Sequence, residues 1–269
     1  MKFDLHTHHY RCGHADGDIR DYIEAGIQAG LQVIGISDHT PYFGFDEDQA
    51  FPNTAMGKSQ LAAYVQEVLD LKREYAGKID VLLGIESDYF PHHAQLYKDA
   101  LAPYPFDYII GSVHFSGGYS IFDPTRWNGL SEQEKVAVKT EYFRLIAQSA
   151  KSGMFHILGH IDAMKSNYPE FTAIEAPDAL DDMLRTIAAS GVAIEVNTSG
   201  KIKLCGLWHP VDPMLERAFH FGVDISFGSD SHVAQRVGDD FELVANKLRE
   251  IGYTEWVYYK QQQRQVVAL

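Results

Sequence analysis

His6 and His8 stand one residue apart at the end of the run KFDLHTHH, and Asp230 and His232 repeat that spacing at the end of GVDISFGSDSH. Side chains at i and i+2 of a strand point to one face, so each pair can hold one cation from a single side. Four further candidates close separate apolar runs: His39 in QVIGISDH, Glu86 in IDVLLGIESDY, His114 in DYIIGSVHF and His160 in FHILGHID. His14 follows in the turn after the first run, where a ligand and a surface histidine read alike. Any one of these histidines is more often a satisfied core residue than a ligand. Their concentration at one end of successive runs is what points to metal. One tetrahedral site takes three or four protein groups plus water, so nine candidates imply two or three divalent ions. Imidazole and carboxylate without thiolate suit Zn, Mn or Fe. Glu86, an acid at the end of an apolar run with no arginine near it in sequence, can bridge two ions through its two oxygens. Clustered ions acidify a shared water and clamp both attacking and leaving oxygens, as hydrolysis of a phosphate monoester demands.

The elements that position these groups alternate. Seven apolar runs, the six above with GVAIEVNTSG, are each followed by a helical pattern. Near-continuous Val/Ile/Leu runs predict strands buried on both faces, hence a parallel sheet. Helices are expected over 19–30, 58–77 and 131–153, the last opening with the capping-box pair Ser131 and Glu134, and in three later stretches ending at Gly191, Gly222 and Gly252. In βα barrels the site forms at the C-terminal strand ends. The placement of the ionisable residues there favours a closed, seven-stranded (β/α) barrel, with a doubly wound open sheet as the alternative.

A length of 269 residues with 45% hydrophobic content fits one α/β domain spanning 1–269. The net charge of −14 supplies no basic footprint for nucleic acid, which favours a small phosphorylated substrate. Two cysteines, Cys12 and Cys205, are too few for a disulfide framework. The chain opens on a charged strand without an apolar leader, and no run reaches membrane-spanning length, so a soluble, cytoplasmic protein with no membrane partner is expected. Self-association into a homo-oligomer is left open.

The ordered strings DLHTHH, CGHA, ISDHTP, GIESDY, DYIIGSVHF, GHID, EVNTSG and GSDSH resemble the polymerase and histidinol phosphatase (PHP) family over nearly the whole chain. GSVHF followed by GGYSIFD, together with EVNTSG, is most similar to the histidinol phosphatase branch. The resemblance implies a distorted seven-stranded (β/α) barrel and hydrolysis of L-histidinol phosphate, a late step of histidine biosynthesis, by attack of a metal-bridging hydroxide. It also distributes the ligands: His6, His8, Glu86 and Asp230 on one ion; Glu86, His114 and His160 on a second; His14, His39 and His232 on a third. Glu86, Asp230 and His39 would be catalytic. Lys165 and Lys203 stand where the branch carries basic residues, and these two with Asn197 and His209 are the expected substrate contacts. Lysine lacks the bidentate fork of arginine, which leaves the ester itself less fixed than the chemistry.

The loop YFGFDEDQAF at 42–51 could stack an imidazole and pair an ammonium, or be a solvated loop. His9, His92, His93, His156 and His220 read as structural or surface residues. The rival readings are a PHP phosphoesterase acting on nucleotides, which a basic groove would favour, and a metal-binding regulatory protein, against which the complete ligand set argues. An amidohydrolase would add an eighth-strand aspartate and a strand-end lysine, and no strand-end lysine is present.

Overall fold

The structure, a computed structural model, describes residues 1–269. Its strands run β1 (Phe3–Asp4), β2 (Val33–Ile36), β3 (Asp80–Leu83), β4 (Glu86–Asp88), β5 (Ile110–Ser112), β6 (Phe115–Ser116), β7 (Tyr119–Ser120), β8 (Ile157–Leu158), β9 (Ala193–Asn197), β10 (Ile225–Gly228), β11 (Glu255–Lys260) and β12 (Gln263–Ala268). Between them lie α1 (Ile19–Gln28), α2 (Leu61–Glu74), α3 (Ala94–Leu101), α4 (Glu132–Lys151), α5 (Pro177–Ser190), α6 (Asp212–Phe221) and α7 (Phe241–Ile251).

The fold is α/β with parallel sheets. β1-β2-β3 form a three-stranded sheet and β10-β9-β8-β5-β4 a five-stranded one, every pairing parallel. β2, β9 and β10 are buried on both faces, as their unbroken apolar runs require. Where the sequence predicts one seven-stranded barrel, the structure has these two sheets. The run 79–89 is interrupted at Gly84-Ile85, so its two halves fall in different sheets. Backbone bridges join the sheets on both sides. Thr7 pairs with Ser231 and His39 with Glu86. The Leu5 amide donates to Phe227 O at 3.2 Å, and the Glu86 amide to Ser37 O at 3.0 Å.

Helix ends follow local chemistry. Ser131 caps α4 with Glu134 in the reciprocal arrangement expected, and Gly191 and Gly222 close α5 and α6 in left-handed conformation. Three features were not anticipated: the short α3, the antiparallel pair of β6 and β7, and an antiparallel hairpin of β11 and β12 after α7. Trp256 of that hairpin is buried against Phe3 and Phe241, ring centroids 5.0 and 4.6 Å away, so it seals the end opposite the ionisable strand ends. No helix is long and apolar enough to cross a membrane.

Candidate metal centre

All nine candidate ligands converge. Around Glu86 Oε2, His6 Nε2 lies at 3.4 Å and His8 Nε2 at 3.6 Å, and the same two nitrogens lie 3.7 and 3.1 Å from Asp230 Oδ1. Glu86 Oε1 faces His160 Nε2 at 3.1 Å and His114 Nε2 at 3.5 Å, which are 3.3 Å from each other. His14 and His232 meet Nε2 to Nε2 at 2.9 Å, and the His39 ring lies 5.3 Å from His14 and 6.3 Å from His232. His39 also reaches Glu86 Oε2 through Nδ1 at 2.9 Å, so it stands between the outer and central groups.

Donors bound about 2.0–2.2 Å from a tetrahedral ion lie roughly 3.3–3.6 Å from one another, close to the spacing around Glu86. His6 Nε2, His8 Nε2 and Glu86 Oε2 are moreover buried without a hydrogen-bond partner. Such atoms are costly unless something coordinates them. The donor set therefore fits divalent cations. Cys12 also lies within reach of His14 and His232, but burial and then Asp38 push its thiol pKa up, and its Sγ donates to His9 O at 3.2 Å. A neutral thiol is a poor ligand.

The carboxylates and the outer imidazoles are held in the forms that ligate a cation, while the inner imidazoles are held protonated by the carboxylates around them. Burial opposes ionisation of Glu86, yet His39, His6 and His114 hold its pKa well below the usual carboxylate range. Asp230 behaves alike, burial being overcome by His6 and His8. Desolvation, then the charges of neighbouring imidazoles, lowers His14 to about 4 and His232 to about 2, so both present free lone pairs at neutral pH. His8 and His114 are pushed up to about 9 despite burial. The causes are the adjacent carboxylates of Asp230 and Asp38 for His8, and the charges of Asp88 and Glu86 for His114.

Behind the ligands stand carboxylates that the sequence reading did not single out. Glu195 accepts from His6 Nδ1 at 2.9 Å and from the His160 amide at 3.1 Å. Asp38 meets His8 Nδ1 at 3.3 Å and His9 Nδ1 at 2.7 Å, and Asp88 meets His114 Nδ1 at 3.0 Å. Carboxylates in this position fix the ring orientation and raise the basicity of the opposite nitrogen. Their available signal was a charged residue inside an otherwise apolar run, Glu195 in GVAIEVNTSG above all.

Two of the four expected substrate contacts line the catalytic pocket, a cavity of about 430 Å³. Lys203 stands exposed on its rim, and His209 is buried in its wall. His209 is carried there by a strap whose backbone pairs with Asn197 at the end of β9 (2.7 and 2.8 Å). The other two are placed differently. Lys165 is wholly buried, its ammonium paired with Asp162 Oδ1 and 2.7 Å from His209 Nδ1, so it does not face the pocket. Asn197 is also buried and donates Nδ2 to Glu195 at 2.7 Å and to Asp230 at 3.2 Å, which makes it a brace for ligands. Ser199 joins it, its Oγ donating to Asp230 Oδ2 at 2.9 Å. Arg236, which the sequence did not single out, lines the pocket with Phe122, Asn167 and Ile202.

The aromatic loop 42–51 lies apart from this pocket. Tyr42, Phe45 and Phe51 pack edge to face on one another and line a separate cavity of about 600 Å³ with Phe90 and Phe115. That cavity shares no lining residue with the pocket at the candidate ligands. Of the five histidines set aside, His9 is buried on Asp38, His156 Nδ1 accepts from the Ile109 amide at 3.1 Å, and His92, His93 and His220 are exposed.

This centre at the strand ends of a parallel α/β fold is that of a known class: the chain belongs to the PHP domain family, whose profile matches residues 4–199. A probable histidinol-phosphatase of Deinococcus radiodurans is 30% identical over 250 residues, covering 93% of each chain. The histidinol-phosphatase of Bacillus subtilis is 29% identical over 262 residues, 90% of this chain and 97% of that one. Among solved structures, the fold is similar to that of a histidinol phosphate phosphatase from Lactococcus lactis, a complex with zinc, L-histidinol and phosphate. That likeness has a TM-score of 0.81 and 21% identity over 98% of both chains.

Proposed function

We propose that this chain is a metal-dependent phosphoric monoester hydrolase that converts L-histidinol phosphate to L-histidinol and phosphate, a step of histidine biosynthesis. The carrying observation is Glu86, whose two oxygens face two separate imidazole groups, His6 with His8 and His114 with His160, at 3.1–3.6 Å. The names carried by the Deinococcus and Bacillus relatives support the substrate. Two to three divalent ions would sit on these residues, and zinc, present in the Lactococcus complex, leads manganese and iron.

Bound ions supply an activated water and offset the charge on the phosphoryl oxygens. The chain's own residues set the geometry for this. Glu195 and Asp38 aim the His6 and His8 nitrogens at Glu86 and Asp230. Asn197 and Ser199 hold Asp230, and Asp88 holds His114. Glu86, Asp230 and His39 surround the reacting phosphoryl group, Lys203 meets it from the rim, and His209 walls the pocket. We further infer that the two sheets act as one distorted seven-stranded barrel, that residues 1–269 form a single domain, and that the protein works in the cytoplasm.

The test is steady-state kcat/KM for metal-loaded protein across histidinol phosphate, sugar phosphates, nucleotides and phosphodiesters. Histidinol phosphate should lead. A nucleotide preferred tenfold or more, about 1.4 kcal/mol of transition-state binding, would move the protein to another branch of the family.

A further inference from the structure

The catalytic pocket lacks the expected second phosphate cation. Lys165 is sealed against Asp162 and has no free path to a ligand. Two cations do line the cavity, Lys203 and Arg236. Arg236 lies four residues beyond His232 in a short 3-10 turn, Ala234–Arg236, that follows the last ligand strand. Its side chain is 17% exposed and held on one edge only. Nε and Nη2 donate to Asp239 Oδ2 at 3.1 and 2.8 Å, and Nη2 also reaches Thr198 O at 3.4 Å. Nη1 has no protein acceptor. Thr198 sits between Asn197 and Ser199, the two residues that hold Asp230, so the guanidinium is tied to the same backbone as the ligand wall.

We infer that Arg236 is a phosphate-binding residue of this site, oriented by Asp239, and that it takes the part the buried Lys165 cannot. This rests on the phosphatase reading. The only carboxylates lining the pocket are Glu86 and Asp230, which face the imidazoles, so no acid there competes for the free edge of the guanidinium. With Nε and Nη2 occupied, Nη1 keeps its two coplanar N–H donors for phosphoryl oxygens. Asp239 is a positioning residue: its Oδ2 holds Arg236 while its Oδ1 meets Lys201 at 3.6 Å.

The experiment measures inorganic phosphate as a competitive inhibitor of p-nitrophenyl phosphate hydrolysis, and in parallel titrates phosphate calorimetrically into the metal-loaded protein. Arg236→Gln should weaken phosphate by tenfold or more at unchanged metal content, and raise KM more than it lowers kcat. Arg236→Lys should recover part of the loss, and Asp239→Asn should lose an intermediate amount because the cation stays but its aim is freed. Unchanged phosphate affinity in Arg236→Gln, or a loss seen only together with lost metal, overturns the assignment. If the wild type turns over no ester, the phosphatase reading fails, while the calorimetric comparison still decides Arg236 by itself.

Discussion

Replacing Lys165 separates two roles for one residue. Its ammonium is completely buried on Asp162, which is itself 1% exposed. Burial alone would favour a neutral Asp162, but the Lys165 charge and His209 hold its carboxyl well below the usual range. In Lys165→Ala, Asp162 keeps only His209 Nδ1 at 2.8 Å and the Val211 amide at 2.9 Å. Removing one partner of a buried pair costs about 3–5 kcal/mol, because the other charge is left without compensation. At roughly 2–4 °C per kcal/mol for a domain of this class, the melting temperature should fall by about 6–20 °C. The variant should also be more acid-sensitive. A carboxylate with a depressed folded pKa stabilises above its unfolded pKa, and that stability is lost as pH falls through the folded value. Without Lys165 the folded value rises, so the loss begins at higher pH. Denaturant unfolding of wild type, Lys165→Met, Asp162→Asn and the double variant should give strongly non-additive effects. Stability within about 1 kcal/mol of wild type in Lys165→Ala, together with a KM raised tenfold at constant kcat, would refute this reasoning and return the ammonium to the substrate.

Four further outcomes are expected. Elemental analysis of purified protein should find more than one divalent ion per chain, and chelation should lower the melting temperature; a single ion or none defeats the multinuclear centre. Glu86→Gln should abolish turnover in a folded protein, since an amide cannot compensate two cations, and near-normal turnover would reject the bridge. Glu195→Gln should weaken metal binding or activity by about 10–100-fold through loss of the His6 contact, measured by competition with a chelator. Lys139, whose pKa burial lowers to about 8, donates to Phe171 O and Ile174 O at 2.9 and 2.7 Å. The folded state binds fewer protons there than the unfolded one, so its contribution to stability should increase between pH 8 and the unfolded lysine value. The stability difference from Lys139→Met across that window reads this contribution, and a flat difference would contradict it.

The convergence of the candidate ligands was legible because two physical periods coincide in the sequence. Apolar runs mark buried strands, and a polar residue at the last position of such a run must face the one end that sheets leave open. The i, i+2 pairs His6/His8 and Asp230/His232 then fix the face. What stayed hidden depended on long-range contacts. Glu195 meets His6 across 189 positions, and nothing local distinguishes a brace from a ligand. Lys165 reads as a phosphate contact by its place after His160, yet its environment comes from Asp162 and a strap 44 positions away. The β11–β12 hairpin escaped because its turn, Gln261-Gln262, adopts left-handed φ values of 51° and 61° without the Gly or Asn that normally announces such a turn.

Backbone strain gives the site its last physical constraint. His160 and Asp230 are candidate ligands and also carry positive φ, 25° and 52°, in a chain where most such positions are glycine. Non-glycine residues held there cost of order 1–3 kcal/mol each and persist only where their surroundings over-determine them. The surroundings do so here. The His160 amide is held by Glu195, and Asp230 is gripped by Asn197 and Ser199. The buried Asp4 carboxylate ties the Ser229 and Gly238 amides at 2.9 and 2.8 Å, clamping the end of β10 and the segment that follows it to the first strand. Gly228 is needed in the same place, since a Cβ there would lie 2.4 Å from Glu195 Oε2 and 2.5 Å from the His6 Cβ. Glu195 thus orients His6, anchors His160 and excludes any side chain at 228, so the first, fifth and last ligand strands share a single carboxylate. That shared dependence explains why the two strained ligand positions can coexist in one site.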